Sequence, residues 1–529
     1  MPRTRTANPA AAIAAILAAA SLAVSGCTAG APGSAAPAAS GAPSVLPSTA
    51  EGRDTAVPRE ATPGYGRIAG TPAEAALKAS RAFFEFSPAA VVVDTASPAA
   101  GSPRDRLLPA ARGRALEMGV PLLLAGADAA GRAAVREELD RLGARSVVRF
   151  GGPATEGDGL FSGLATSDGA DPDADRGPAA PTAADGRFAV VHRLGKAGAD
   201  YSAALATAEA AGASVHGMDS SDPRVDGRDR AFFRDHAGAA LYGIGPGLAP
   251  EADFASLAAT AATGAELPGG GQVVFPERRM VALYGHPETS ALGLLGEQGV
   301  QEAIRRVKGL AADYQPYSPE PVQPAFEIIA TVASAAPGKD GTYSRYTDVN
   351  VLRPWVEAAG EAGVYVVLDL QPGRNDFLTQ AKRYEELLSL PHVGLAYDPE
   401  WRLGPDQLHM AQIGSVQARE LNATNAWLAD LTRRHRLPQK VVVLHQFQLR
   451  MIPDRAALDT GHPELAMVVH ADGHGTPGQK FQTWDVLRRD LPKGIRMAWK
   501  NFIDEDSPTF TPEETFTKVT PAPWFVSYQ

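Results

Sequence analysis

The sequence predicts a two-part α/β protein: an N-terminal α/β domain with a parallel sheet, then a C-terminal (β/α)8-type barrel. Three observations predict it. From residue 272 onward, short apolar runs alternate with helical patterns. A looser alternation of the same kind occupies residues 71–245. The chain of 529 residues is too long for one ordinary core. Strands alternating with helices imply parallel sheets joined by crossovers.

The N-terminal part reads as residues 71–271. A helix pattern spans 72–86, strands are expected at 90–93, 119–124 and 146–152, and a helix at 133–142. Residues 154–186 are acidic and rich in Gly, Pro and Ala, with no period, and read as a disordered insert. Strands then recur at 188–191, 213–216 and 239–245, around a helix at 201–211. They are expected to complete the first sheet. The pieces AAVVVDTA (89–96), GVPLLLA (119–125), LDRLGA (139–144) and SVVRFGG (146–152) together resemble one cell-wall-binding repeat of Gram-positive surface proteins. The resemblance implies contact with a wall polymer.

The barrel part reads as residues 272–529. Strand candidates are 279–284, 326–332, 364–369, 393–397, 440–445, 465–470 and 495–499, with 523–529 as an eighth. Helical patterns at 297–313, 350–362, 375–389, 414–436 and 479–490 separate most of them. This count suits a (β/α)8-type barrel; an open doubly wound sheet is the alternative.

Barrels of this type carry function at the C-terminal ends of their strands. Those ends here include Tyr284-Gly285-His286, Asp369-Leu370-Gln371, Asp398-Pro399-Glu400-Trp401, His445-Gln446, His470-Ala471-Asp472 and Trp499-Lys500-Asn501. Solubility alone does not select acid, imidazole and amide groups at strand end after strand end. Glycoside hydrolysis needs two carboxyl groups flanking the scissile bond. Residues i and i+2 of an extended segment face one way, so Asp398 and Glu400 form a candidate catalytic pair, with Asp369 as a further carboxylate. Glu400 is the candidate general acid. Trp401 and Trp499 offer faces for sugar rings, and His286, Gln371, His445, Gln446, His470, Asp472 and Lys500 are candidate substrate-binding groups. Trp427 and Trp484 sit on helical apolar faces and read as packing.

The Asp-x-Glu strand end resembles that of barrel glycosidases of the chitinase-like and lysozyme-like kinds. The segment 280–529 is also similar to an uncharacterised exported domain of actinobacterial surface proteins, through YGHPETSALGLLGE (284–297), FEIIATVAS (326–334), LDLQPGRNDFL (368–378), YDPEWRL (397–403), LPQKVVVLHQF (437–447) and WKNFIDED (499–506). A glycosidase-like hydrolase acting on envelope or extracellular glycan is the leading expectation. Three alternatives stand beside it. Asp398 and Glu400 could be strand-end ion pairs with Arg374 and Arg402. The barrel could bind a wall glycan without catalysis. It could be a metal-dependent hydrolase using His286, His445, His470, Asp472 or Asp398. His-x-His and His-Glu-x-x-His spacings do not occur in the sequence, and no metal or other cofactor is assigned.

The N-terminus bears on location. Arg3 and Arg5 precede an apolar run over 10–24, the layout of an export signal. The run ends in VSGC (24–27), which resembles a bacterial lipobox and contains the single cysteine of the chain, Cys27. That resemblance implies cleavage of residues 1–26, a lipid on Cys27 and anchoring at the extracytoplasmic face of the cell membrane. Residues 27–70, rich in Ala, Pro, Gly and Ser, are the expected flexible tether. The expected partners are the membrane and an envelope glycan or wall polymer. A net charge of −10 argues against a nucleic-acid partner.

Overall fold

Successive residues of a β-strand point to opposite faces, and this splits the apolar residues of the C-terminal part into two cores. Met280, Ala282, Ala325, Val367, Val443, Val468 and Ala498 meet in an interior core. Their neighbours Val281, Leu283, Phe326, Val366, Leu368, Leu444, Val469 and Met497 pack instead against the surrounding helices. The strands carrying them are Arg279–Gly285, Val322–Ala333, Tyr365–Leu370, Val393–Tyr397, Lys440–Gln446, Leu465–Ala471, Arg496–Asn501 and Phe525–Tyr528. Each pairs in parallel with the next, and the eighth pairs with the first, so the sheet closes as an eight-stranded parallel barrel. Closure removes the open-sheet alternative.

These relationships come from a computed structural model that describes residues 54–94, 104–151, 159–169, 171, 186–195 and 200–529. The export signal, Cys27 and most of the tether lie outside the described residues.

The crossovers follow the sequence patterns closely: helices Val300–Tyr314, Val349–Glu361, Phe377–Arg383 with Glu385–Leu388, Ala418–Arg434 and Pro477–Arg488. The fifth crossover has only the 3-10 turns Leu449–Met451 and Arg455–Ala457, in a stretch broken by Pro453, Gly461 and Pro463. A short helix absent from the pattern reading, Pro512–Lys518, follows the seventh strand. Its start, Thr511-Pro512-Glu513-Glu514, forms a capping box with Pro at the first turn, a signal present in the sequence.

The N-terminal part differs from expectation. It holds two four-stranded sheets rather than one. The first contains Leu122–Ala125, Ala89–Asp94, Ser146–Gly151 and Ala165–Asp168; the second contains Gly64–Ile68, Ala240–Ile244, Phe188–Arg193 and Ser214–Met218. The reason is the helix Ser202–Ala210, which buries seven of its nine residues. A helix apolar all round is stable only between other elements. Its Thr207 hydroxyl accepts from the Leu122 backbone N–H of the first sheet at 3.0 Å, and side chains of both sheets share one core with it. Gly64–Ile68 lies within the expected tether, and Ala165–Asp168 within the expected insert. Arg224 of this lobe donates to the Pro463 carbonyl of the barrel part at 2.6 Å. Among the described residues, no helix is long and apolar enough to cross a membrane.

Candidate active site

The interior face of the barrel changes character toward the C-terminal strand ends. Two residues beyond the apolar interior layer, the same face carries Tyr284, Glu327, Asp369, His445, His470, Lys500 and Ser527 from seven strands, and Asp398 from the position just after the fourth. All eight are buried. Above them opens a cavity of about 500 Å³. Gln371, Asp398, Glu400, Asp472 and Lys500 supply its polar wall; Tyr284, Trp401, Phe447 and Phe502 supply aromatic surface.

Local structure aims Asp398 and Glu400 into this cavity by a route other than the expected extended segment. Pro399–Trp401 is a 3-10 turn, favoured by Pro at its first position, and the Asp398 carboxyl group caps it, Oδ1 accepting from the Glu400 backbone N–H at 3.2 Å. The Gly414 N–H donates to the Glu400 carbonyl at 2.8 Å. A Cβ on Gly414 would stand 2.5 Å from the Pro399 and Arg402 carbonyl oxygens, so only glycine allows the loop this approach. The Trp401 ring is held edge-on by His409, with centroids 5.4 Å apart. Asp398 and Glu400 do not pair with the nearby arginines. Arg402 binds Glu420 at 3.0 Å, and Arg374 stacks on Tyr343 and donates to the Gln407 carbonyl.

Beneath the cavity lies a buried ion network. His445 donates through Nδ1 to Asp472 and through Nε2 to Glu327, both at 2.8 Å. A neutral imidazole has one N–H, so two carboxylate partners call for the imidazolium. Burial alone would depress its pKa; Glu327 and Asp472 outweigh that and hold it well above the usual range. Lys500 Nζ stands 3.0 Å from Asp472 Oδ1 and 3.8 Å over the Tyr284 ring. Burial works against ionising Asp472, but Lys500 and His445 keep it ionised far below the usual carboxylate range. Burial holds the neighbouring His470 down at about 3, so it is neutral; its Nε2 is 3.2 Å from Ser527 Oγ.

The charges in this network balance: Lys500 and His445 are matched by Asp472 and Glu327. Three carboxyl groups remain without a cation of their own. Burial, then the charge of Asp369, pushes Asp398 well above its usual range. Asp369, which accepts from the Tyr284 hydroxyl at 2.9 Å, is raised by burial to about 6. Glu400 is raised by burial, then by Asp472, to about 7. The cavity wall therefore combines carboxyl groups that keep protons near neutral pH with one that stays ionised.

The structure divides the sequence candidates by depth and by strand face. Gln371, Asp398, Glu400, Trp401, Asp472 and Lys500 line the cavity. Asp369, His445 and His470 form its support and do not line it. Gln446 and Trp499 occupy the opposite strand parity. Gln446 accepts from Arg455 at 3.3 Å, and Trp499 packs on Trp484 and Phe510 among the helices. Neither offers a surface to the cavity. His286 lies in a neighbouring pocket. Glu327 was absent from the sequence candidates. Its signal was a lone acid inside the apolar run FEIIATV, which a strand interior tolerates only with a partner.

Glu327, His445 and His470 each offer a donor atom within 4.8 Å of the others, the one such metal-compatible cluster among the described residues. Glu327 Oε2 and His470 Nδ1 make no hydrogen bond there. Both His445 nitrogens, however, are already engaged by carboxylates, and a metal would have to replace the Nε2 proton and break the Glu327 contact. These residues fit the hydrogen-bonded ion network better than a metal site.

Fold and site together define a closed parallel barrel with a carboxyl-rich cavity at its C-terminal rim. Compared with protein-family models, curated proteins and solved structures, the chain matches none.

Proposed function

We propose that the barrel is a glycosidase-like hydrolase acting on an envelope or extracellular glycan. The observation that supports this best is the pairing, in one cavity with Trp401 in its wall, of the proton-holding Glu400 with the ionised Asp472. Acid-assisted glycoside cleavage needs both states at once. Glu400 donates its proton to the departing glycosidic oxygen as the C–O bond breaks; water then adds to the anomeric carbon and returns a proton to the Glu400 carboxylate. Asp472, fixed by Lys500 and His445, stabilises the positive charge that develops on the sugar ring. Asp398 orients Glu400 through the capped turn, and Asp369 keeps Asp398 protonated. Trp401 supplies a flat apolar face for a ring.

The resemblances at Cys27 and in the N-terminal lobe add the setting: a lipid-anchored protein at the extracytoplasmic face of the membrane, close to wall polymer. The test incubates the purified protein with purified Gram-positive cell wall and measures soluble reducing ends. Release that disappears in Glu400→Gln supports the reading. No release by the wild type ends it. If the protein then still co-sediments with the wall, a non-catalytic glycan-binding role takes its place.

A further inference from the structure

One sequence candidate, His286, is not used by this chemistry. It lines a second pocket of about 570 Å³ with Glu288, Arg345, Thr347 and Asp348. Leu292 and Val332 line both this pocket and the main cavity, so the two meet across an apolar ridge. Each alone is the size of a small-ligand site. Together they pass the roughly 300–1,000 Å³ usual for one small molecule.

The polar groups of the second pocket are arranged for a ligand with hydroxyl groups. The Glu288 backbone N–H donates to His286 Nδ1 at 3.2 Å, so Nδ1 is an acceptor and the ring proton sits on Nε2. Nε2 lies 2.9 Å from Thr347 Oγ1 and therefore donates to it. The Thr347 hydroxyl accepts that bond and keeps its own proton free to donate. Asp348 is occupied as a helix cap, accepting from the Asn350 N–H at 2.8 Å. The exposed Arg345 guanidinium has no hydrogen-bond or ion-pair partner among the described residues.

Resting on the glycosidase-like reading, we infer that the second pocket is a distal subsite and that the substrate is a sugar chain spanning both pockets. The apolar ridge of Leu292 and Val332 takes the C–H face of a ring between them. Thr347 and Arg345 bind hydroxyl or carbonyl oxygens of the distal unit.

The test titrates full-length Glu400→Gln, whose turnover is expected to be about 10²–10⁴-fold slower, with β-1,4-linked N-acetylglucosamine oligosaccharides of two and six units by calorimetry. The six-unit chain is expected to bind about tenfold tighter. Adding Arg345→Ala or Thr347→Val should erase most of that ratio. A flat ladder, no binding of either chain, or an unchanged ratio in both variants overturns the subsite. The result separates from the parent reading. Length-dependent binding without wall hydrolysis by the wild type removes only the hydrolase, and hydrolysis with a flat ladder removes only the subsite.

Discussion

His445 Nε2 lies 2.8 Å from Glu327 Oε1 inside the barrel, joining residues 118 positions apart on the fifth and second strands. Both side chains are fully buried. An ion pair this deep gains from mutual attraction only while both partners are present. His445→Leu leaves Glu327 and Asp472 facing one another with Lys500 alone to compensate. It is expected to lose about 3–5 kcal/mol in urea unfolding. Glu327→Leu combined with His445→Leu should cost less than the sum of the two single changes. Additive costs would show that the contact carries no coupling.

Glu400→Gln should lower wall hydrolysis by about 10²–10⁴-fold, the usual contribution of a general acid. Co-sedimentation with the wall should persist. Full activity in this variant would remove Glu400 from the mechanism.

The pH profile follows from the same group. A general acid works while protonated, and Glu400 holds its proton to about 7. kcat/KM should therefore fall as pH rises through about 7. Asp472 is the charge that raises Glu400 most, so in any residual activity of Asp472→Asn the limb should move to lower pH. A limb that stays put would assign it to another group.

Stability should respond in a linked way. The folded-state pKa of Glu400 is raised from 4.5 to about 7, so in that window the native state holds a proton that the unfolded chain has released. The resulting stabilisation is complete below about 4.5 and is lost as pH rises through about 7. Glu400→Gln removes this dependence. Compared with wild type, it should be more stable at pH 8 than at pH 4 by urea unfolding. Equal differences at both values would contradict the raised pKa.

The two tryptophans at strand ends should separate cleanly. Trp499→Ala opens a cavity between barrel and helices and should cost about 3–5 kcal/mol, with little effect on glycan affinity at a temperature where the protein is folded. Trp401→Ala should weaken glycan binding and change stability far less. Reversed outcomes would put the sugar face at Trp499.

Much of this was legible in the sequence. Apolar runs interrupted by Gly and Pro fixed the strands, because burial on both faces demands them. Val393–Tyr397 matches its expectation residue for residue. The polar strand ends marked the rim that holds the site. The N-terminal sheets were less legible, because nothing local in SAALATAEA says that this helix lies between two sheets.

Strand alternation alone determines that Trp499 and Lys500 point to opposite sides. It does not say which side is interior. Closure of the eight strands decided that, sending Lys500 to Asp472 and Trp499 to Trp484. The protonation states were likewise beyond the sequence. They depend on burial and on distances of a few ångströms between residues far apart in the chain, and only the packed barrel sets either.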